Sequence, residues 1–330
     1  MDWASFCPRG DFRPGFGRER VTGTDVTIVE VGPRDGLQSV EQTMSTSAKC
    51  RWIDALAAAG LRQIQVGSFV SPRALPQMAD CSAVVQHALT IPGLRVSVLV
   101  PNLRYAEVAF DAGVHVLTIP VSVSEPHSIA NIRKTHDEII EDVRAIVALR
   151  NERYVGTHIE IGLATAFGCT IQGVVPEDDV IRLARRVVTC GVDSIHPADT
   201  VGFASPAQIR RLVPRLRDEV GERCGGIHLH NTRGQGLANV VAALDVGVRA
   251  FDSSHGGLGG CPYAPGATGN IVTEDLVFLL ESMGLRTGVD IERLIEARST
   301  LVAGLPDAEL YGYLADAGLP KGFVPTTAAA

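Results

Sequence analysis

From Val26 onward, short β-branched runs alternate with longer amphipathic stretches. Residues 26–31, 63–69, 95–100, 114–121, 158–165, 194–199, 226–231 and 249–254 have the length of strands, and the first five are rich in β-branched residues. Between them the apolar positions recur at helical spacing, most plainly over 48–59, 206–220 and 237–244. Two further helical stretches, 273–283 and 291–303, follow the last strand. Helix ends repeat one idiom, with a glycine just before the next strand: Ala59-Gly60-Leu61, Ala112-Gly113-Val114, Cys190-Gly191-Val192 and Val246-Gly247-Val248. Glycine ends a helix there because the stop position takes a left-handed backbone. Eight strand–helix units predict a closed (β/α)₈ TIM barrel with extra C-terminal helices, an α/β fold in one domain over 25–304. An open doubly wound sheet would carry a Gly-x-Gly-x-x-Gly turn after its first strand. Here that turn reads Gly32-Pro33-Arg34-Asp35-Gly36. Residues 1–24 are expected to form a flexible leader. Residues 305–330 are expected to form a tail with disordered last residues, and 311–323 has no predicted place.

In such a barrel the C-terminal strand ends converge on one mouth. Arg34 and Asp35 follow the first strand, Asp199 and Thr200 end the sixth, and Cys261 and Asn270 lie beyond the eighth in a glycine-rich loop. The seventh strand reads Ile227-His228-Leu229-His230, so a two-residue period turns both imidazoles to one side. One carboxylate, two imidazoles and one amide oxygen make a set that could hold an ion with positions left open. Each residue also has a plainer reading. Asp35 suits an Asx-turn with Gly36, Arg34 a salt bridge at the rim, and Asp199 either a general base or a helix cap. Cys261 is either a loop cysteine without a role or a proton donor.

Composition narrows the classes. At 330 residues, 45% hydrophobic and 20% charged, the chain can bury a large core. A net charge of −7, with arginines dispersed along the helices, gives no footprint for nucleic acid. No apolar run approaches the roughly 20 residues that cross a bilayer, so no membrane partner is expected. The seven cysteines are odd in number and scattered, without a Cys-x-x-Cys pair. That excludes a disulfide framework and fits a reducing cytoplasm.

Several stretches together resemble the 3-hydroxy-3-methylglutaryl-CoA lyase family. They are the run from Val31 through Gln38, Ser68-Phe69-Val70-Ser71-Pro72, Pro76-Gln77-Met78, Asp199-Thr200-Val201-Gly202, His228-Leu229-His230, and the glycine-rich run from Asp252 through Asn270 to Leu276. The resemblance spans about residues 27–303. It implies a metal-dependent carbon–carbon lyase that splits a branched 3-hydroxyacyl-CoA thioester into acetyl-CoA and a keto acid. It further implies Asp35, His228, His230 and Asn270 as ligands of a divalent ion, Mg²⁺ or Mn²⁺. Arg34, Asp199 and Cys261 take catalytic places, and Arg34, Gln38 and Arg233 are expected to meet the acyl-CoA substrate. A homodimer or other homo-oligomer is expected.

The chain departs from the family's usual pattern in three places. Gln65 stands where a glutamate is usual, and His196 where a smaller residue is usual. After the histidines, Asn231-Thr232-Arg233-Gly234 replaces Asp-Thr-Tyr-Gly. Arg233 and His196 are therefore expected to face the part of the substrate that varies, which leaves citramalyl-CoA open beside 3-hydroxy-3-methylglutaryl-CoA. Two other readings stand beside the lyase. One is a condensing transferase of the isopropylmalate synthase kind, against which stands the lack of room for a regulatory domain. The other is a barrel without catalysis that serves as a scaffold.

Overall fold

The structure, a computed structural model, describes residues 23–259 and 269–329. All eight expected strands form: β1 (Thr27–Glu30), β2 (Gln63–Ser68), β3 (Arg95–Leu99), β4 (Val116–Ser122), β5 (His158–Ala164), β6 (Ser194–Pro197), β7 (Ile227–His228) and β8 (Ala250–Ser253). Every pairing is parallel, in the order β6-β5-β4-β3-β2-β1-β8-β7. A single bridge between Ala198 and His228 joins β6 to β7 and completes the ring. This is the (β/α)₈ barrel expected from the alternation.

Helices cover the outside of the sheet, so both faces of the strands are buried. Ile64, Val66, Val96, Val98, Leu117, Ile119, Ile159 and Ile161 lose nearly all contact with water. The helix Pro206–Val220 starts as its sequence predicts: Ser205 Oγ accepts the N–H of Gln208, with proline at the first helical position. Polar side chains interrupt this apolar frame inside the barrel, notably Gln65, Thr118, Glu160 and His196, all buried.

The C-terminal stretch, which includes the unplaced residues 311–323, is tied to the barrel. Tyr311 donates its N–H to the Gly256 carbonyl at 2.8 Å. Asp275 accepts the N–H groups of Tyr313 and Leu314, and Thr327 donates its own N–H to Glu281 at 2.8 Å. The stretch lacks a long apolar run, so hydrophobic periodicity gave no signal. Backbone donors paired with buried carboxylates hold it instead.

Candidate metal centre

The first βα turn is built around Glu30 and Val31. One carboxylate oxygen of Glu30 accepts the N–H groups of Gly32 and His255, at 2.8 and 2.9 Å. The Val31 carbonyl then gathers the N–H groups of Arg34, Asp35 and Gly36, which makes one wide helical turn over Gly32–Gly36. A side chain on Gly36 would meet Leu258 Cβ at 2.7 Å, so only glycine lets the turn lie this close to the next segment. The Asx-turn alternative for Asp35 does not form. One of its oxygens accepts from Arg34 Nη1 and, at 2.7 Å, from Gln38 Nε2; the other accepts Asn270 Nδ2 at 2.7 Å.

β7 ends at His228, three residues short of the expected 226–231, and His230 instead bridges to Asn270 across the next segment. The two imidazoles still converge, with Nε2 atoms 3.1 Å apart. Each Nε2 lies 3.9 Å from the same oxygen of Asp35. His228 Nδ1 lies 3.2 Å from Asp252 Oδ2, which fixes the ring so that Nε2 faces Asp35 and His230. Asp252 was not singled out in the sequence as a site residue. Its signal was its place beside His228 in the register of two adjacent strands.

Electrostatics follow from this packing. Burial alone would raise the Asp35 carboxyl, but the Arg34 guanidinium, both imidazoles and the Asn270 amide outweigh it and hold it at about 2. Burial and the neighbouring His228 push His230 down to about 3, so its ring is neutral. Burial also opposes charge on His228, but its bond to Asp252 and the Asp35 carboxylate prevail and raise it.

The donor set fits a divalent ion. Ligand atoms of Asp35, His228 and His230 all lie within 4.8 Å of one another. Two ligands at right angles around an ion about 2.1 Å from each would stand about 3 Å apart, as the paired Nε2 atoms do at 3.1 Å. Asn270 Oδ1 is buried and without a hydrogen-bond partner, while its Nδ2 is fully occupied by Asp35 and the Leu258 carbonyl. A buried amide oxygen left without a donor is costly, and a cation removes that cost.

Asp199 lies at the mouth on the loop after β6. Its backbone N–H reaches the His228 carbonyl at 2.9 Å, and Oδ1 accepts the Phe203 N–H at 2.7 Å. Oδ2 is buried without a partner, and burial raises the carboxyl to about 6 against the pull of its backbone donors and of His228. Arg34 Nε donates to Gln65 Oε1. Arg233 is tied to the loop after β6. It donates to the Val201 and Gly202 carbonyls at 2.9 and 3.1 Å and lies 4.5 Å over the Phe203 ring, bracing the loop that carries Asp199. His196, expected beside the variable part of the substrate, lies inside the barrel. It is 2% exposed within the barrel, with Nδ1 3.3 Å from Glu160. Cys261 lies outside the described residues.

The comparisons with known proteins point the same way. A family profile described as HMGL-like matches residues 25–301. The chain belongs to the HMGL-like family. It is 39% identical to the hydroxymethylglutaryl-CoA lyase of Bacillus subtilis over 82% of this chain and 90% of that protein. It is equally similar, at 39% identity, to the (R)-citramalyl-CoA lyase of Chloroflexus aurantiacus, over 85% of this chain and 91% of that one. Among solved structures, an HMG-CoA lyase of Acinetobacter baumannii in complex with coenzyme A and 3-methylmalate superposes with a TM-score of 0.85 at 38% identity. That match covers 91% of this chain and 97% of the other. Within the family, then, this barrel is similar to members named for more than one acyl-CoA substrate.

Proposed function

We propose that the protein is a divalent-metal-dependent carbon–carbon lyase that splits a branched 3-hydroxyacyl-CoA into acetyl-CoA and a keto acid. The observation that carries this reading is the convergence of Asp35, His228 and His230 within 4.8 Å, beside the unbonded buried oxygen of Asn270. These four residues would hold Mg²⁺ or Mn²⁺, since one carboxylate, one amide oxygen and substrate oxygens favour a hard ion over zinc. Once bound, the ion polarises the substrate's tertiary hydroxyl and makes it more acidic.

The chain's own residues divide the remaining work. Asp199, with a carboxyl near pH 6 and an unpartnered oxygen, accepts the hydroxyl proton. The alkoxide then re-forms a carbonyl as the bond to the carbon beside the thioester breaks, and the electron pair becomes the acetyl-CoA enolate. Arg34 has Nε and Nη1 committed to protein acceptors. Its remaining donors are directed to the enolate oxygen as charge develops there. Cys261 delivers the proton that completes acetyl-CoA. Gln38 keeps Asp35 oriented and Arg233 keeps the Asp199 loop in place, so both act on the substrate through other groups.

3-Hydroxy-3-methylglutaryl-CoA is the leading substrate, with citramalyl-CoA second because a relative of equal identity carries that name. Five described cysteines are unpaired thiols, in keeping with a cytoplasmic enzyme. Among the described residues no helix is long and apolar enough to cross a membrane. The test is acetyl-CoA release from a panel of branched 3-hydroxyacyl-CoA thioesters with Mg²⁺ or Mn²⁺. Cleavage of at least one, lost on chelation, is expected. No cleavage of any, together with CoA release from acetyl-CoA and a 2-oxo acid, would make the protein a condensing transferase instead.

A further inference from the structure

Behind Arg34 runs a line of buried side chains, one from each of four strands: Gln65 on β2, Thr118 on β4, Glu160 on β5 and His196 on β6. Arg34 Nε donates to Gln65 Oε1, Gln65 Nε2 donates to Thr118 Oγ1 at 3.1 Å, and Thr118 Oγ1 donates to Glu160 Oε1 at 3.4 Å. On the far side, His196 Nδ1 lies 3.3 Å from Glu160 Oε2. His196 has room because position 226 is glycine, where a Cβ would meet its ring at 3.0 Å.

We propose that Glu160, acting through Thr118 and Gln65, is a positioning residue for the Arg34 guanidinium. Hydrogen-bond direction sets the order along the line. A carboxylate only accepts and a guanidinium only donates, while a hydroxyl has a single proton. With Glu160 at one end, the proton of Thr118 is directed to Glu160, and its lone pair is left for the NH₂ of Gln65. That in turn leaves Gln65 Oε1 facing Arg34. A reversed amide would set N–H against N–H at the arginine and oxygen against a lone pair at the threonine. The sense of the Gln65 amide is therefore dictated from two side chains away, on strands that cannot shift independently. The neutral amide at position 65 and the carboxylate at position 160 form a matched pair. A carboxylate at 65 would compete with Glu160 for the one threonine proton.

This assignment rests on the lyase reading only for the role given to Arg34, and two readouts keep the two apart. The first is direct: the Arg34 Nε–H resonance in arginine-labelled protein, identified by its loss in Arg34→Lys. It is expected as a slowly exchanging signal in the wild type and Thr118→Ser, and lost to fast exchange in Thr118→Val. A signal unchanged in Thr118→Val overturns the proposal whether or not any thioester is cleaved. The second is kinetic. Thr118→Val and Gln65→Glu are each expected to lower kcat by about tenfold or more, with KM within about threefold, as misplacement of a catalytic group does. Thr118→Ser is expected to recover most of the loss. The charge exchange Gln65→Glu with Glu160→Gln reverses the two bonds through Thr118 and still offers Arg34 an acceptor. It is therefore expected to recover kcat well above Gln65→Glu alone. A double variant no better than Gln65→Glu, with both unfolding thermally like the wild type, would also overturn the proposal. If either variant fails to fold, the Thr118→Val and Thr118→Ser resonances decide it. Absence of turnover in the wild type would remove the proposed function and leave the resonance test standing.

Discussion

Two buried polar clusters flank the first βα turn. Toward the barrel mouth, Asp35, His228, His230 and Asn270 crowd together, yet His230 Nδ1 and Asn270 Oδ1 have no hydrogen-bond partner. Toward the covering helices, Glu30, His255 and Glu274 are just as buried, but every titratable atom among them is bonded. Glu30 accepts from Gly32, His255 and Thr273, and His255 pairs with Trp52 and the Leu294 carbonyl. Glu274 accepts from Gly256 and Arg298. Burial is thus alike on the two sides, and hydrogen-bond satisfaction differs. A cluster that closes on itself fixes backbone, here the turn that carries Arg34 and Asp35. A cluster left open is one that something else must complete.

That contrast can be broken most sharply at Asp35. Asp35→Asn keeps the shape and removes the charge; losing an ion's stabilisation of several kcal/mol should cut thioester cleavage by about a thousandfold. Bound Mn²⁺, followed by its paramagnetic resonance signal, should fall with it. Wild-type turnover in this variant would erase the distinction between the clusters.

Glu30 tests the closed side through pH. Burial raises its carboxyl from 4.5 to about 7 despite its hydrogen bonds. The folded state therefore holds this proton more tightly than the unfolded chain. The resulting stabilisation is complete below 4.5 and is lost as pH rises through 7, a change of roughly 3 kcal/mol. Urea unfolding at pH 5 and pH 8 should show that loss in the wild type and a smaller one in Glu30→Gln. Equal pH dependence in the two proteins would mean that Glu30 does not titrate there.

Asp252→Asn probes the boundary, because Asp252 completes the open cluster from behind. Weakening its hold on His228 Nδ1 should cost about 10- to 100-fold in Mn²⁺ affinity, read by titration calorimetry, with little change in fold. The smallest effect belongs to Trp52→Phe, which deletes the indole donor to His255. A loss of about 1–2 kcal/mol in unfolding free energy is expected, with turnover retained. A collapse of turnover would place the closed cluster within the catalytic apparatus.

The frame of the molecule was legible in the sequence because strand and helix periods are local. The first five strands announced themselves through β-branched residues, and the glycine stops marked where helices end. Arg34, Asp35, His228 and His230 were legible for a related reason: they fall at strand ends, which a barrel brings together. The rest depends on contacts that no local pattern encodes. That Asn270 Nδ2 reaches Asp35, or that Gln65 is oriented by Glu160, follows from register across several strands. The seat of His196 beside Glu160 likewise depends on the glycine at 226, which leaves room for its ring. Residues 311–323 have no place in the sequence pattern because carboxylate-to-backbone bonds leave no hydrophobic signature.

The direct contact of Asp35 with Asn270 spans 235 positions of the chain. On a ribosome the aspartate emerges early and the asparagine late, so a growing polypeptide carries no complete pocket until its final quarter is made. Loading of the proposed ion would thereby be deferred until the barrel has nearly closed.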